Sequence, residues 1–161
     1  GISPSFANLT ATGTLAVTGA ATLSSTLSLN SAVVGAWTTP TFAAGDFTAI
    51  GSMTWTVDAG DVSTYAYTIV NKMMTVMFYL QTTTVGGTLS TTLKIAIPAS
   101  KTATKTTYNR LAFIDNVTRK VNGYASVAAA GTVINIEIGD AANWEANAAT
   151  SFAGQITFEI N

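Results

Sequence analysis

The chain is 161 residues long, carries a net charge of −1, and is only 9% charged against 48% hydrophobic. So slight a charge excludes a broad electrostatic grip on nucleic acid or on an anionic membrane. It contains no cysteine and no histidine, which excludes disulfides and thiolate metal sites, removes the commonest general base, and weighs against an enzyme.

From Ala7 the chain reads in sixes: ANLTAT, GTLAVT, GAATLS, STLSLN, SAVVGA. Apolar residues hold the third and fifth places, as in Leu9 and Ala11, Leu15 and Val17, Ala21 and Leu23, Leu27 and Leu29. The first place is small (Ala7, Gly13, Gly19, Ser25, Ser31) and the sixth mostly carries a hydrogen-bonding side chain (Thr12, Thr18, Ser24, Asn30). Because six is even, the two-residue alternation of a β-strand passes through every repeat unchanged, with odd positions toward a core and even positions toward water. A single straight strand of this length would span roughly 95 Å, so the small residue in each repeat must let the chain bend. Ordering the segment costs on the order of 1–2 kcal/mol per residue, more than its few aliphatic side chains return at about 1.5–3 kcal/mol each. One copy cannot fold alone, whereas identical copies wound together close each other's apolar faces and backbone edges. The same residues would also suit two ordinary hairpin strands with glycines at turns, but the strictness of the period argues against that.

Between Ala36 and Gly51 the period breaks, and Trp37, Pro40, Phe42 and Phe47 appear among glycines and threonines. This reads as a neck whose aromatics plug the end of the following domain. From Ser52 alternation returns in short pieces. Met53, Trp55 and Val57 alternate, Asp58 to Asp61 makes a turn, and Tyr65, Tyr67 and Ile69 lead through Asn71-Lys72 to Met74, Val76, Phe78 and Leu80. The Asn-Lys pair predicts a tight hairpin, since asparagine tolerates positive φ. After a turn at Val85-Gly86-Gly87, Leu93, Ile95 and Ile97 share a strand face until Pro98 stops it. Further strands are expected at Tyr108–Asp115, Val121–Val127, Thr132–Ile138 and Phe152–Ile160. About eight short strands without a helical period predict an antiparallel β-sandwich, jelly-roll-like, over residues 52–161.

Several residues invite functional readings. Asp58 and Asp61 are the closely spaced carboxylates of one loop, but a calcium site needs about six oxygens, and a turn aspartate usually caps its own backbone. No metal and no cofactor is expected. A basic group, Lys101, Lys105, Arg110, Arg119 and Lys120, would suit an anionic receptor or simply keep a poorly charged chain in solution. Met73, Met74 and Met77 read as packing residues, in a core or between chains. Tyr65, Tyr67 and Tyr79 sit inside strands, so Tyr108 and Tyr124, near strand ends, are the better platforms for a sugar ring. Gly139 to Thr150 is the longest stretch of the head without alternation. It carries Trp144 between Asn143 and Glu145, with Asn147 nearby, an apolar platform flanked by polar groups. The competing reading is that Trp144 folds back as a lid on the core.

GTLAVTGAATLSSTLSLN resembles the Thr/Gly/Leu-rich repeats in the stems of bacteriophage tail fibres and tail spikes. WTVDAGDVSTYAYTIVNKMMTVMFYL followed by LKIAIP is similar to the β-sandwich tips at the C-terminal ends of such fibres. The resemblance implies an all-β homotrimer with an intertwined stem over residues 1–36, a neck over 37–51 and a head over 52–161. It implies a virion location and non-covalent adhesion to a receptor outside the host cell, carbohydrate foremost, with the rest of the fibre as a further partner. No catalytic residue comes with it. Two other functions stay open, a structural virion part such as a head fibre or decoration and a spike that cleaves polysaccharide. No run of eighteen apolar residues could span a bilayer as a helix, so membrane insertion is not expected. The start at Gly1 suggests a piece of a longer chain.

The repeat yields a direct test. Leu15→Asp or Leu27→Asp, which would bury like charges from every copy, is expected to lower the dissociation temperature of the assembly far more than Thr14→Asp or Thr26→Asp. Equal melting of the odd and even variants would show the face assignment to be wrong.

Overall fold

The computed structural model describes residues 35–161 and, before them, Thr18, Ser28, Leu29, Ala32 and Val33. The stem expected over residues 1–36 therefore lies almost wholly outside the described residues. The chain divides into two compact units, Gly1–Val33 and Val34–Asn161. In the first, strand β1 (Ser28–Leu29) pairs antiparallel with β2 (Ala32–Val33). The second is all-β and has no α-helix among the described residues.

Its strands are β3 (Phe47–Ala49), β4 (Met53–Thr56), β5 (Val62–Val70), β6 (Met73–Gly87), β7 (Thr92–Ala96), β8 (Thr107–Asp115), β9 (Thr118–Val127), β10 (Val133–Ile138) and β11 (Asn147–Glu159). They form one antiparallel sheet in the order β3-β7-β10-β9-β8-β11-β6-β4, with β5 also paired to β6. The ladder is continuous, where two packed sheets had been expected. Its two ends, β3 and β4, are joined by only Ile50, Gly51 and Ser52. At that corner the Ile50 amide donates to the Thr92 carbonyl and the Thr88 amide donates to the Ser52 carbonyl, each at 3.1 Å. The sheet is thus nearly closed on itself.

Alternation explains most of these strands. Met74, Val76, Phe78 and Leu80 of β6 are buried, as are Leu93, Ile95 and Ile97 on and after β7 and Ile134, Ile136 and Ile138 on β10. Asn71 adopts φ 55° in the turn between β5 and β6. Past Leu80 the parity of β6 flips: Gln81 and Thr82 are both exposed, and Thr83 and Val85 face inward. The cause is a bulge at Thr82, whose φ is 54° and whose amide bonds the Ser151 hydroxyl at 2.9 Å. A bulge bends its strand and sharpens the local twist, which lets one 15-residue strand serve two parts of the closing sheet. β5 lies along its first half and β4 along its second.

The interior is filled by touching aromatic rings. Phe47 meets Trp55 edge-on at 5.6 Å, Trp55 meets Phe152 at 5.6 Å, and Phe152 meets Phe78 at 5.8 Å. Such pairs add roughly 0.5–1.5 kcal/mol each beyond the burial of their surface. Two polar side chains carried inside satisfy each other: the Trp55 indole N–H donates to the Thr83 hydroxyl at 2.9 Å, which donates to the Thr150 carbonyl at 3.0 Å.

Two boundaries differ from the sequence reading. Gly86 and Gly87 continue β6 where a turn was expected, because the glycines serve close approach of β4. A Cβ on Gly87, whose φ is +72°, would lie 2.5 Å from the Ser52 carbonyl oxygen, whereas one on Gly86 would meet only the Thr54 side chain at 3.3 Å. The last strand begins at Asn147 and not at Phe152, which shortens the preceding loop to residues 139–146. Gly87→Ala should therefore destabilise the fold by roughly 1–3 kcal/mol, through overpacking and a left-handed backbone. Gly86→Ala should cost clearly less, as thermal unfolding of the two variants would show.

Candidate functional site

The hairpin β8–β9 sends its odd-numbered β8 residues Leu111, Phe113 and Asp115 inward and its even-numbered ones outward. Tyr108 and Arg110 consequently stand on the outer surface. The register sets Arg110 opposite Tyr124 and Tyr108 opposite Ser126, so the Tyr108 and Tyr124 rings come to 5.9 Å, tilted by 57°. Tyr108 is the most exposed tyrosine of the pair at 68%, and Tyr124 is half-buried. Next to them lies a hollow of about 310 Å³ lined by Arg110, Asn122, Gly123, Tyr124, Gly139 and Asp140. Three of the sequence-predicted residues, Tyr108, Arg110 and Tyr124, are thereby gathered into one place.

The floor of the hollow depends on glycine. A Cβ on Gly139 would sit 1.9 Å from the Asn122 carbonyl oxygen, so β9 and the end of β10 can approach this closely only without a side chain there. Asp140 holds its loop by accepting the Ala142 amide at 3.1 Å. Burial pushes the Tyr124 phenol above its ordinary pKa, reinforced by Glu137 on the neighbouring strand and then by Tyr108. Glu137 also accepts the Thr92 hydroxyl at 2.8 Å. The Tyr124 ring, a guanidinium, an amide and a carboxylate around one hollow, with the Tyr108 ring beside them, can stack on a sugar ring and bond its hydroxyls or a sugar acid.

The second predicted group is placed differently. Trp144 is fully buried; its indole N–H donates to the Thr91 carbonyl at 3.1 Å, and its ring packs on Phe113 at 5.0 Å and Phe152 at 6.5 Å. Of the two readings of Trp144, the lid on the core is the observed one and the open platform is corrected: the ring fills the core between β8 and β11, and its one polar atom is satisfied there. Asn147 is equally committed. Its amide group donates to Asp115 Oδ1 at 3.1 Å and to the Glu145 carbonyl at 2.7 Å, while its oxygen accepts the Ala149 amide and the Thr150 hydroxyl. Glu145 is exposed but accepts Asn116 Nδ2 at 2.9 Å. Asn143 is exposed beside them.

Asp115 escaped the sequence reading. It is 1% exposed, receives the Glu145 amide at 3.3 Å and the Asn147 side chain, and so organises the loop that carries Trp144. The available signal was a carboxylate at an inward position of an alternating strand, in register with Leu111 and Phe113. Asp140 was missed because only the β9–β10 pairing brings it to Tyr124, whereas Asn122, two residues before Tyr124 on the same face of β9, was within reach of alternation.

Of the basic group, Lys101, Lys105 and Arg110 stand apart, while the side chains of Arg119 and Lys120 lie outside the described residues. Lys105 pairs with Glu159 at 2.8 Å, which holds that carboxyl below the usual range. Lys101 lines a separate hollow with Tyr65, and Arg110 stands with the tyrosines. Asp58 and Asp61 cap their own 3-10 turn, the Asp61 carboxylate accepting the Asp58 amide at 2.9 Å. Among the described residues no three acidic side chains are grouped to hold a metal ion.

Compared with protein-family models, with curated proteins and with solved structures, the chain matches none.

Removing the Trp144 ring leaves a cavity between Phe113 and Phe152. Trp144→Ala should cost about 3–5 kcal/mol of stability, whereas Asn143→Ala should be nearly silent. Comparable unfolding midpoints for the two variants would contradict the buried placement.

Proposed function

We propose that this chain is the C-terminal part of a bacteriophage tail fibre or spike, and that its head attaches the virion to a host-surface carbohydrate through the Tyr108–Tyr124 hollow. The observation that carries the reading is a hollow lined by Tyr124, Arg110, Asn122 and Asp140, with the exposed Tyr108 ring against Tyr124 at its side. Sugars bind by this combination, apolar faces supplying affinity and fixed polar groups setting identity. The strict six-residue period and its resemblance to fibre stems support the setting. In that setting three intertwined stems carry three heads, and weak single-site binding becomes firm by avidity.

Binding of the intact chain to a glycan array and to host cells tests this. Tyr108→Ala and Arg110→Ala should each weaken binding at least about tenfold, a loss of roughly 1.4 kcal/mol. Their unfolding temperatures should stay close to that of the parent, since both side chains lie on the surface. Thr48→Ala, exposed on β3, is the control. Binding that survives both substitutions would remove the hollow from the reading. A parent chain that binds no glycan and no cell would favour a purely structural virion part.

A further inference from the structure

A second outer face differs in kind from the hollow. In β5, β6 and β11 the outward positions fall in cross-strand rows: Val70, Met73 and Glu159; Thr68, Thr75 and Thr157; Ala66, Met77 and Gln155; Thr64, Tyr79 and Ala153. Val70, Met73, Met77 and Tyr79 are between 36% and 45% exposed. Among the described residues the only charge at these outward positions is Glu159, at the rim, and it is paired with Lys105 at 2.8 Å.

Several polar groups of this face bond one another, and the Thr68 hydroxyl is already buried within the head. The Thr75 and Thr157 hydroxyls meet at 2.8 Å. Ser63 donates to Gln81, and Gln81 donates to the Tyr79 hydroxyl, each at 2.6 Å. Removing water from such a face costs little, because these donors and acceptors keep their partners when it is covered. Gln81 and Ser63 also fix the Tyr79 ring, so little side-chain freedom remains to be lost on contact.

We propose that this face packs against the head of a second copy of the chain, the same face of each copy being turned toward the axis the copies share. Three features point to a copy of the chain itself. The face carries almost no charge by which a different partner would be selected, whereas two like faces meet without repulsion. A hollow of about 310 Å³ between Met77, Tyr79, Ala153 and Gly154 has room for a methionine side chain from the facing copy. The size also fits a tethered contact. Four rows across three strands cover roughly 400 Å² in plane at strand spacings, about half of the ~800 Å² that a free-standing partner contributes. Alone it would not hold dilute molecules together. The six-residue repeat, which cannot fold as a single copy, brings heads together at high effective concentration. The proposal shares with the reading above only that copies assemble; it does not depend on what the Tyr108 hollow binds.

The absence of cysteine makes the test clean. Met77→Cys and Met73→Cys are placed separately in the full chain and treated at low micromolar concentration with a short bis-maleimide, and the products are separated on a denaturing gel. Thr48→Cys, on the outer surface of β3, is the control. Covalent dimer as the main product for at least one of the two methionine variants, with Thr48→Cys staying monomeric, is the expected result. Three outcomes would each overturn the proposal: no dimer from either variant, dimer from Thr48→Cys to the same extent, or a parent chain that sediments as a monomer. Glycan binding by the unlinked Met77→Cys variant should match that of the parent, so failure of this contact and failure of the receptor site are read separately.

Discussion

The head depends on one bend, the three residues Ile50, Gly51 and Ser52 that carry the chain from one end of the sheet to the other. Without it β3 and β4 would be free edges, open to pairing with other chains. With it, the Thr92 carbonyl and the Thr88 amide on either side of the β6–β7 connection are both engaged by the corner, and the sheet curls far enough to enclose an interior. The bulge at Thr82 and the bare backbone at Gly87 serve the same closure, one by bending β6 and the other by letting β4 approach it. The remaining edge, β5, is partly covered within the head: Thr38 and Tyr67 exchange both backbone hydrogen bonds, at 2.7 and 2.9 Å.

Closure also decides where function can sit. The interior is filled by the buried rings of Phe47, Trp55, Phe78, Phe113, Trp144 and Phe152, and the hollows described above lie on the outside. The outside is not uniform. On β8 and β9, Tyr108, Arg110, Asn122 and Tyr124 stand beside a hollow; on β5, β6 and β11 the outward rows mix apolar side chains with uncharged ones, of which Thr75 and Thr157, and Gln81 and Tyr79, bond each other. The first surface offers donors, acceptors and ring faces to a hydroxyl-rich ligand. The second offers little that water would miss. A surface that keeps its polar groups reaching outward suits a solute, and one that satisfies them internally suits dehydration.

Strand interiors were legible in the sequence because a two-residue alternation reports burial directly. Met74 to Leu80, Leu93 to Ile97 and Ile134 to Ile138 needed nothing beyond that, and Asn71 announced its turn. What alternation cannot report is contact between distant strands. Gly86 and Gly87 look like a turn until β4 is known to lie against them, and the parity flip at Gln81-Thr82 is visible only if a bulge is allowed. The pairing of Tyr108 with Tyr124 was half legible: both residues stood out singly as sugar platforms, but their meeting depends on the β8–β9 register. Trp144 kept two readings in the sequence because a lone aromatic in a polar stretch has the same signature whether it faces water or folds under a loop. Of the six-residue repeat, almost all lies outside the described residues, and its reading still rests on the period itself.

The polar cluster around Asp115 shows why the Trp144 loop takes the structural role. A carboxylate with 1% exposure is costly to bury unless hydrogen bonds replace its water. The Glu145 amide and the Asn147 side chain supply two of them from the loop itself, so the loop is held by the energy of keeping that buried carboxylate solvated. Asn147 then spends its remaining oxygen on Ala149 and Thr150, and Thr150, through its carbonyl, anchors the Thr83 hydroxyl that receives the Trp55 indole. Loop, carboxylate and aromatic core are thus one connected network, in which releasing Trp144 toward a ligand would expose Phe113 and disturb the Asp115 hydrogen bonds at once. Tyr108 and Arg110 have no such entanglement. Their side chains stand clear of the core, so a ligand can be gained or lost there without cost to the fold, and the hairpin rather than the loop is the better place to carry recognition.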